Sequence, residues 1–391
     1  MKDQLCGMSL AIAVASPLSI ARTIEKPMGL YCSCPPTNNM GSGSVVPAVA
    51  QLDHVDGVLV RVAWEDIETS PGVYDWSLID GQIQAAQSYG IKISLAVVNG
   101  LVAPDWLSAM GTQMFDYTFH KSQESIPVPW DATFQSRWNQ FIADLGARYN
   151  TEDTISLVYI TTSSSNGFEM QLPRSPTDIA NWNAIGYTDE LYASAWKSAM
   201  DAFADAFPNH PLSHEVHPVL NSDVVAEDVY QYAREHHGDQ VGVLAAWWMV
   251  HNAEDVYPGM FEILKDASYE SHSEVQVANS YTNTPDRFSE DGYQGEINLA
   301  INSGVRYMEV WNSDLLNTSL TPLMIETAAR LNTPFCGDAD LTEDGSLNFL
   351  DVSAYLVAYG KQDLAADFTS DGSFNFLDVS AFLAAFGAGC P

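Results

Sequence analysis

Eight short runs of apolar and β-branched residues recur along most of the chain, at 28–33, 57–64, 91–98, 155–162, 212–219, 241–249, 274–281 and 305–311. Between them lie stretches with helical apolar spacing, around 77–89, 134–149, 189–206, 223–236, 258–268, 293–302 and 322–331. A run that is apolar at nearly every position belongs to a strand covered on both faces, the condition of a parallel sheet flanked by helices. Parallel neighbours need a crossover connection, and the intervening helical stretches supply it. Eight such units are the count of a closed (β/α)8 TIM barrel. A doubly wound open sheet is the alternative, but no Gly-rich phosphate loop follows the first run. The span 22–335 exceeds the roughly 250 residues of a plain barrel, so long loops are expected.

Charge narrows the partners. Sixteen basic against 50 acidic residues leave a formal net charge of −34. Nucleic-acid affinity comes from Lys and Arg displacing counterions on phosphate, so DNA and RNA are excluded as partners, as is an anionic membrane surface. No run beyond the N-terminus is long and apolar enough for a bilayer span. Residues 1–21, with Lys2, an apolar stretch and small residues at Ser19 and Ala21, predict a secretory signal peptide. An exported chain permits disulfides among Cys32, Cys34, Cys336 and Cys390. Cys32 and Cys34 are expected not to bridge each other, whereas Cys336 and Cys390 bracket the C-terminal segment and are expected to clasp it.

In a barrel of this kind chemistry gathers at the C-terminal ends of the strands. Those ends carry acids and flat aromatic rings, a combination suited to sugars, whose C–H faces stack on indole while their hydroxyls bond polar groups. The candidate carbohydrate-binding residues are Arg61, Trp64, Trp106, Asn166, His217, Trp247, Trp248, Asn279, Tyr281 and Trp311. By strand parity Tyr307, Glu309 and Trp311 share the inward face, while Arg306, Met308 and Val310 face the helices.

The C-terminus repeats itself. Residues 339–360 and 366–387 agree at 16 of 22 positions, a true internal duplication. In the first copy Asp340, Thr342, Asp344, Ser346, Asn348 and Asp351 stand at loop positions 1, 3, 5, 7, 9 and 12. In the second the same places hold Asp367, Thr369, Asp371, Ser373, Asn375 and Asp378. With Gly345 and Gly372 at position 6, this is the oxygen ladder of an EF-hand-like loop, and two Ca²⁺ ions are expected. Each loop leads into a helical pattern with no helix before it. This tandem loop–helix unit, 336–391, resembles the dockerin family, small all-α calcium-binding modules that seat secreted enzymes on cohesin-bearing scaffolds. The resemblance implies a cohesin-like scaffold partner. Two departures stand out: Thr at position 3 removes a charge, and Phe349–Leu350 and Phe376–Leu377 replace the polar pair at positions 10 and 11.

A second resemblance lies in the barrel. The segment VRVAWEDIETSPGVYDWSLIDGQIQAAQSYGIKISLAV is similar to the second-to-third-strand region of clan A glycoside hydrolases of the β-galactosidase type, through Arg61, Trp64, Glu68, Gly72, Tyr74, Asp75 and Trp76. IPVPWDATFQSRWNQFIADLGARYN and RYMEVWNSD are similar to the third helix and last strand of such barrels. The resemblance implies a carbohydrate substrate and two carboxylates, one acid and one nucleophile or base. Clan A enzymes carry an Asn–Glu pair after the fourth strand and a Glu after the seventh. Here Asn166 and Glu169 are separated, and the seventh run ends in Asn279 without an acid. Glu169 is the expected acid/base and Glu309 the second carboxylate, with Glu215 and Glu254 in reserve. Glu309 is equally readable as a buried partner of Arg61.

No cofactor is expected for catalysis: no G-x-S-x-G elbow occurs, and His214, Glu215 and His217 alone do not form a compact metal triad. Two readings stand side by side, a secreted glycoside hydrolase held on a scaffold by its calcium-binding tail, and a barrel that binds glycan without turning it over.

Overall fold

The structure is a computed structural model and describes residues 24–34, 44–119, 121–342 and 344–390; the expected leader, 1–21, lies outside them. Eight parallel strands close into a barrel. In chain order they are β1 (Gly29–Ser33), β2 (Gly57–Ala63), β3 (Lys92–Val98), β4 (Ile155–Ile160), β5 (Leu212–Glu215), β6 (Val241–Trp248), β7 (Ser273–Val277) and β8 (Tyr307–Trp311). Closure is made by β1, which pairs with β8 from Gly29↔Tyr307 to Ser33↔Trp311 and with β2 at Tyr31↔Gly57. All eight expected strands are present. The fifth and seventh stop earlier than their apolar runs, because the chain turns away after Glu215 and Val277 to build the rim.

The helices lie where apolar spacing puts them, among them Ser77–Tyr89, Ala132–Tyr149, Asp189–Ala206 and Val224–His237. Asp131 and Thr188 start two of them by accepting the backbone N–H groups of Phe134 and Leu191, a cap of the type that contributes about 1 kcal/mol. Three features were not anticipated: a small hairpin of Glu68–Ser70 with Val73–Tyr74, a longer one of Met114–Phe119 with Ser122–Pro127, and the helix Pro176–Ala184. All are insertions on the loop side of the barrel.

Alternation along the strands sorts the residues into two cores. Leu30, Val58, Val60, Leu95, Val158, Met308 and Val310 face outward into the layer shared with the helices. Tyr31, Leu59, Ala96, Leu157, Tyr159, Leu244 and Tyr307 fill the barrel itself, as strand parity requires. Trp64 and Trp248, expected at the sugar-binding rim, belong to the outer core. Both are completely buried; Trp64 packs edge-on against Trp138, and the Trp248 indole donates to the Glu296 carbonyl. An indole so enclosed satisfies packing, and neither ring can stack on a ligand in this structure. Cys32 and Cys34 are buried and unbonded on the outer side of β1.

The C-terminal segment forms a separate small body of two helices, Phe349–Lys361 and Phe376–Ala388, around Ala339, Tyr355, Ala366 and Phe382. The Tyr355 and Phe382 rings stack face to face at 4.1 Å. Cys336 and Cys390 are joined by a disulfide across 54 positions. The body sits at the N-terminal pole of the barrel: Tyr269 donates to Asp338 at 2.6 Å, and Arg306, just before β8, lies over the Phe335 ring and donates to the Thr333 carbonyl.

So few apolar residues make a weak core, and a cross-link spanning a loop of this length removes up to about 4 kcal/mol of unfolded-state entropy. Reduction, or C336S, is therefore expected to bring the melting of the tail well below that of the barrel in calorimetry. Tail and barrel transitions that are unchanged by reductant would overturn this.

Candidate active site

At the C-terminal pole the loop after β4, residues 161–171, folds back across the barrel mouth. Its path is pinned at many points. Ser163 donates to the Pro127 carbonyl, Tyr117 donates to the Ser165 carbonyl at 2.7 Å, and the Ser165 N–H and hydroxyl both donate to Gln171 O. Asn166 accepts the N–H groups of Phe168 and Glu169 at 3.1 and 2.9 Å. Gly167 has φ +70° and rests on the Asn99 backbone, where a Cβ would lie 2.0 Å from the Asn99 carbonyl oxygen; only glycine fits. Asn166 thus forms the turn through its Oδ1 and also lines the cavity beside Glu169.

This loop decides which carboxylate is open. Phe168 drops into the barrel, edge-on to Tyr159 at 5.2 Å and beneath the Arg61 guanidinium at 4.5 Å. On the same Tyr159 lies Glu309, fully buried, its Oε1 accepting from Tyr159 at 2.6 Å and Tyr307 at 3.0 Å, and its Oε2 from Gln276 at 2.6 Å. Burial raises the pKa of Glu309, and these donors together with Arg61 oppose the rise. Parity places Glu309 inward as expected, but the structure seals it from solvent. Arg61 makes no ion pair with it; its Nε and Nη2 are buried without a hydrogen-bond partner. Its charge nevertheless interacts with Glu309 and, more weakly, with Glu169. Both carboxylates therefore belong to the same pole.

Glu169 itself is half-buried and faces a cavity of about 390 Å³ lined by Tyr117, Asn166, Gln171 and Arg174. Behind it stand Glu215 and His217, at the end of β5 and just beyond. Gln171 Nε2 donates to Glu169 Oε2 at 3.0 Å and lies 3.3 Å from His217 Nδ1, which is 3.1 Å from Glu215 Oε1. Glu215 Oε2 accepts the Met170 N–H at 2.7 Å. Burial raises the Glu215 pKa; His217 works against that rise and the charge of Glu169 adds to it. Glu169, Glu215 and His217 bring one ligand-type atom each within 4.8 Å of the others. The sequence expectation looked at β5 alone, where His214 turns outward. The grouping forms because Glu215 and His217 share a side two residues apart and Glu169 joins from the preceding loop.

Of the remaining candidates, Trp106 and Trp311 are half-buried, their indoles tied to the carbonyls of Glu68 and Val277. Trp247 is largely buried, donates to the Val216 carbonyl and packs edge-on to Tyr257, which in turn meets the His217 ring. Asn279 accepts from Arg287, and Tyr281 stacks on Tyr293, so both lie in the loop after β7. Asp314 orders that loop by accepting from Ser280, Tyr281 and Thr282. Sequence reasoning missed Gln171, Gln276, Tyr159 and Asn99. Asn99 is buried at the end of β3 with both side-chain atoms unpartnered, and nothing in local patterning flags such a residue.

Residues 50–163 match the family model of glycoside hydrolase family 42, described as beta-galactosidase. The match includes Arg61, Trp64 and Trp106 and stops short of Glu169. Among solved structures, the catalytic domain of beta-amylase from Paenibacillus polymyxa superposes with a TM-score of 0.54 at 11% identity, covering 78% of this chain and 99% of that one. The cold-adapted beta-galactosidase from Rahnella sp. R3 superposes with a TM-score of 0.49 at 10% identity, over 78% of this chain and 56% of that chain. No curated protein matches the sequence. At the identity of the beta-amylase the likeness establishes the barrel fold.

Because three donors converge on Glu309, its replacement leaves buried groups unsatisfied. E309Q is expected to cost about 2–4 kcal/mol in urea unfolding. A variant as stable as the wild type would show that this carboxylate is not structural.

Proposed function

We propose that the chain is a glycoside hydrolase that cleaves oligo- or polysaccharide at the C-terminal pole of its barrel, with Glu169 as proton donor. The carrying observation is the position of Glu169, half-buried on an open cavity with Glu215 within 4.8 Å. The family 42 match and the barrel fold support the same class of chemistry. The charge of Glu169 adds to the rise that burial gives the Glu215 pKa, the effect expected of neighbouring carboxylates. Glu215 is the nearer second carboxylate; Glu309, the partner expected from the sequence, lies a layer deeper and would act on the sugar only through the field it shares with Arg61. Carbohydrate would meet Trp106, Trp311, Asn279 and Tyr281 around the same rim.

One observation favours a second reading, a barrel that binds glycan without turnover. The end of β7 carries Asn279 rather than an acid, and the oxygens of Glu309 and Glu215 are already engaged. Hydrolysis of a glycan panel by wild type, E169Q, E215Q and E309Q separates the two. The hydrolase reading expects E169Q to lower kcat by about 10²–10⁴-fold with its fold intact. Glycan binding without release of reducing ends by the wild type would establish the second reading.

The tail is proposed to be a dockerin-like calcium module that seats an exported enzyme on a cohesin-like scaffold. Its two loops have the same internal bonding. Asp340 accepts the N–H groups of Asp344 and Gly345, and Asp367 those of Asp371 and Gly372. Asp351 and Asp378 accept from Thr342 and Thr369. Asp, Asn and the Ser carbonyl are hard oxygen donors that fit Ca²⁺. Phe349 and Phe376, each 77% exposed at a helix start, would meet the scaffold. Calcium is expected to raise the melting temperature of the tail and D340N with D367N to abolish the rise; a calcium-insensitive tail would refute the module.

A further inference from the structure

The hydrogen-bond accounting around His217 does not close. Its Nδ1 lies 3.1 Å from Glu215 Oε1 and 3.3 Å from Gln171 Nε2. Protonated, Nδ1 can donate to Glu215 but then meets the amide N–H of Gln171 head-on. Unprotonated, it can accept from Gln171 but then faces a carboxylate lone pair. The other ring nitrogen, Nε2, is buried without a partner, in a side chain only 3% exposed. A half-turn of the Gln171 amide, which exchanges its nitrogen and oxygen, only moves the conflict: the amide oxygen would then face Glu169 Oε2.

A divalent cation removes the conflict at Nδ1: unprotonated, Nδ1 ligates the ion that the Glu215 carboxylate also faces, and Nε2 carries the ring proton. With the Gln171 oxygen turned inward, it joins ligand atoms of Glu169, Glu215 and His217 that lie within 4.8 Å of one another, a set of three oxygens and one imidazole nitrogen. Two carboxylates balance the charge. The cavity beside Glu169 and Gln171 gives a way in. Imidazole with carboxylate is the ligand set of zinc-class ions rather than of Ca²⁺, which takes six to eight oxygens.

The geometry points to a binding site for a zinc-class divalent cation formed by Glu169, Glu215 and His217 with Gln171 as fourth ligand. The inference rests on the placement of Glu169 at the mouth and not on hydrolysis. A cation held there occupies the carboxylate proposed as proton donor, so it acts as an inhibitor of the barrel and not as its catalyst.

The test uses the full-length protein, stripped of metal and then held in excess Ca²⁺ so that the tail is saturated. Zn²⁺ is titrated by calorimetry into wild type, E169Q, H217A and H251A. The last removes the exposed His251–Asp255 pair, a rival surface site. One zinc per chain is expected for wild type and H251A, with affinity at least about tenfold weaker in E169Q and H217A. Because Glu169 is half-exposed, E169Q is expected to fold even where H217A does not, and circular dichroism checks both. No zinc binding by the wild type, affinity unchanged in E169Q, or loss in H251A alone would overturn the site. Glycan cleavage assayed on the metal-free protein decides the hydrolase reading independently, since zinc binding is measured without substrate.

Discussion

Phe168 is the stopper of this barrel. The upper interior layer is polar, with Arg61, Gln276 and Glu309 turned inward from β2, β7 and β8. A charge in that position is costly unless it is hydrogen-bonded and kept from a half-wet, half-dry boundary. Three donors satisfy the carboxylate, and the phenyl ring packs on one of them, Tyr159, while offering its face to Arg61. That contact is worth about 0.5–2 kcal/mol for a partly desolvated guanidinium. The ring reaches this place because Gly167 lets the loop press against Asn99 and Asn166 holds the following turn. The same turn that sends Phe168 inward sends Glu169 out toward the cavity. Which carboxylate is buried and which is available are therefore one structural decision, taken by three consecutive residues.

That decision is where the sequence became unreadable. The strands and helices followed from apolar periodicity, since a doubly covered strand and an amphipathic helix each leave a local signature, and Tyr307 and Glu309 were placed inward by parity alone. Glu169 was found from its position after the fourth strand. What periodicity does not carry is the path of an irregular loop. Its course is fixed by long-range contacts such as Tyr117 to Ser165 and Met170 to Glu215. The indoles were misread for a related reason. Trp64 and Trp248 sit at strand ends, but a strand end has two sides, and only the inner one opens on the mouth. Gln171 and Asn99 carry no signal at all until the fold assembles their neighbours.

The molecule is also polarised along the barrel axis. The tail contacts the chain through Tyr269, Phe335 and Arg306, at the ends where the strands begin, while Glu169 lies at the ends where they finish. A partner seated on the exposed Phe349 and Phe376 would therefore approach the far pole from the cavity, and neither function would obstruct the other. The tail gains little from its own packing, so its fold depends on the disulfide that joins its ends, while its attachment to the barrel rests on these few contacts.

The strong acidity of the chain bears on the mouth as well. With a net charge of −34 and only 16 Lys and Arg residues, cations are drawn to the surface generally and few basic side chains are at hand to pair with grouped carboxylates. At the Glu169–Glu215 pair no Lys or Arg comes within salt-bridge distance among the described residues; its close neighbours are the Met170 N–H, the Gln171 amide and the His217 ring. A neutral amide offsets part of the repulsion between two carboxylates but not the net charge. The remainder, which Arg61 and His217 offset in part, draws further cations to the pair. On the proposed reading Glu169 serves as the acid, and a metal ion bound there would take it out of service. The chemistry available at this pole would then be set by which cation occupies the gap between the two carboxylates.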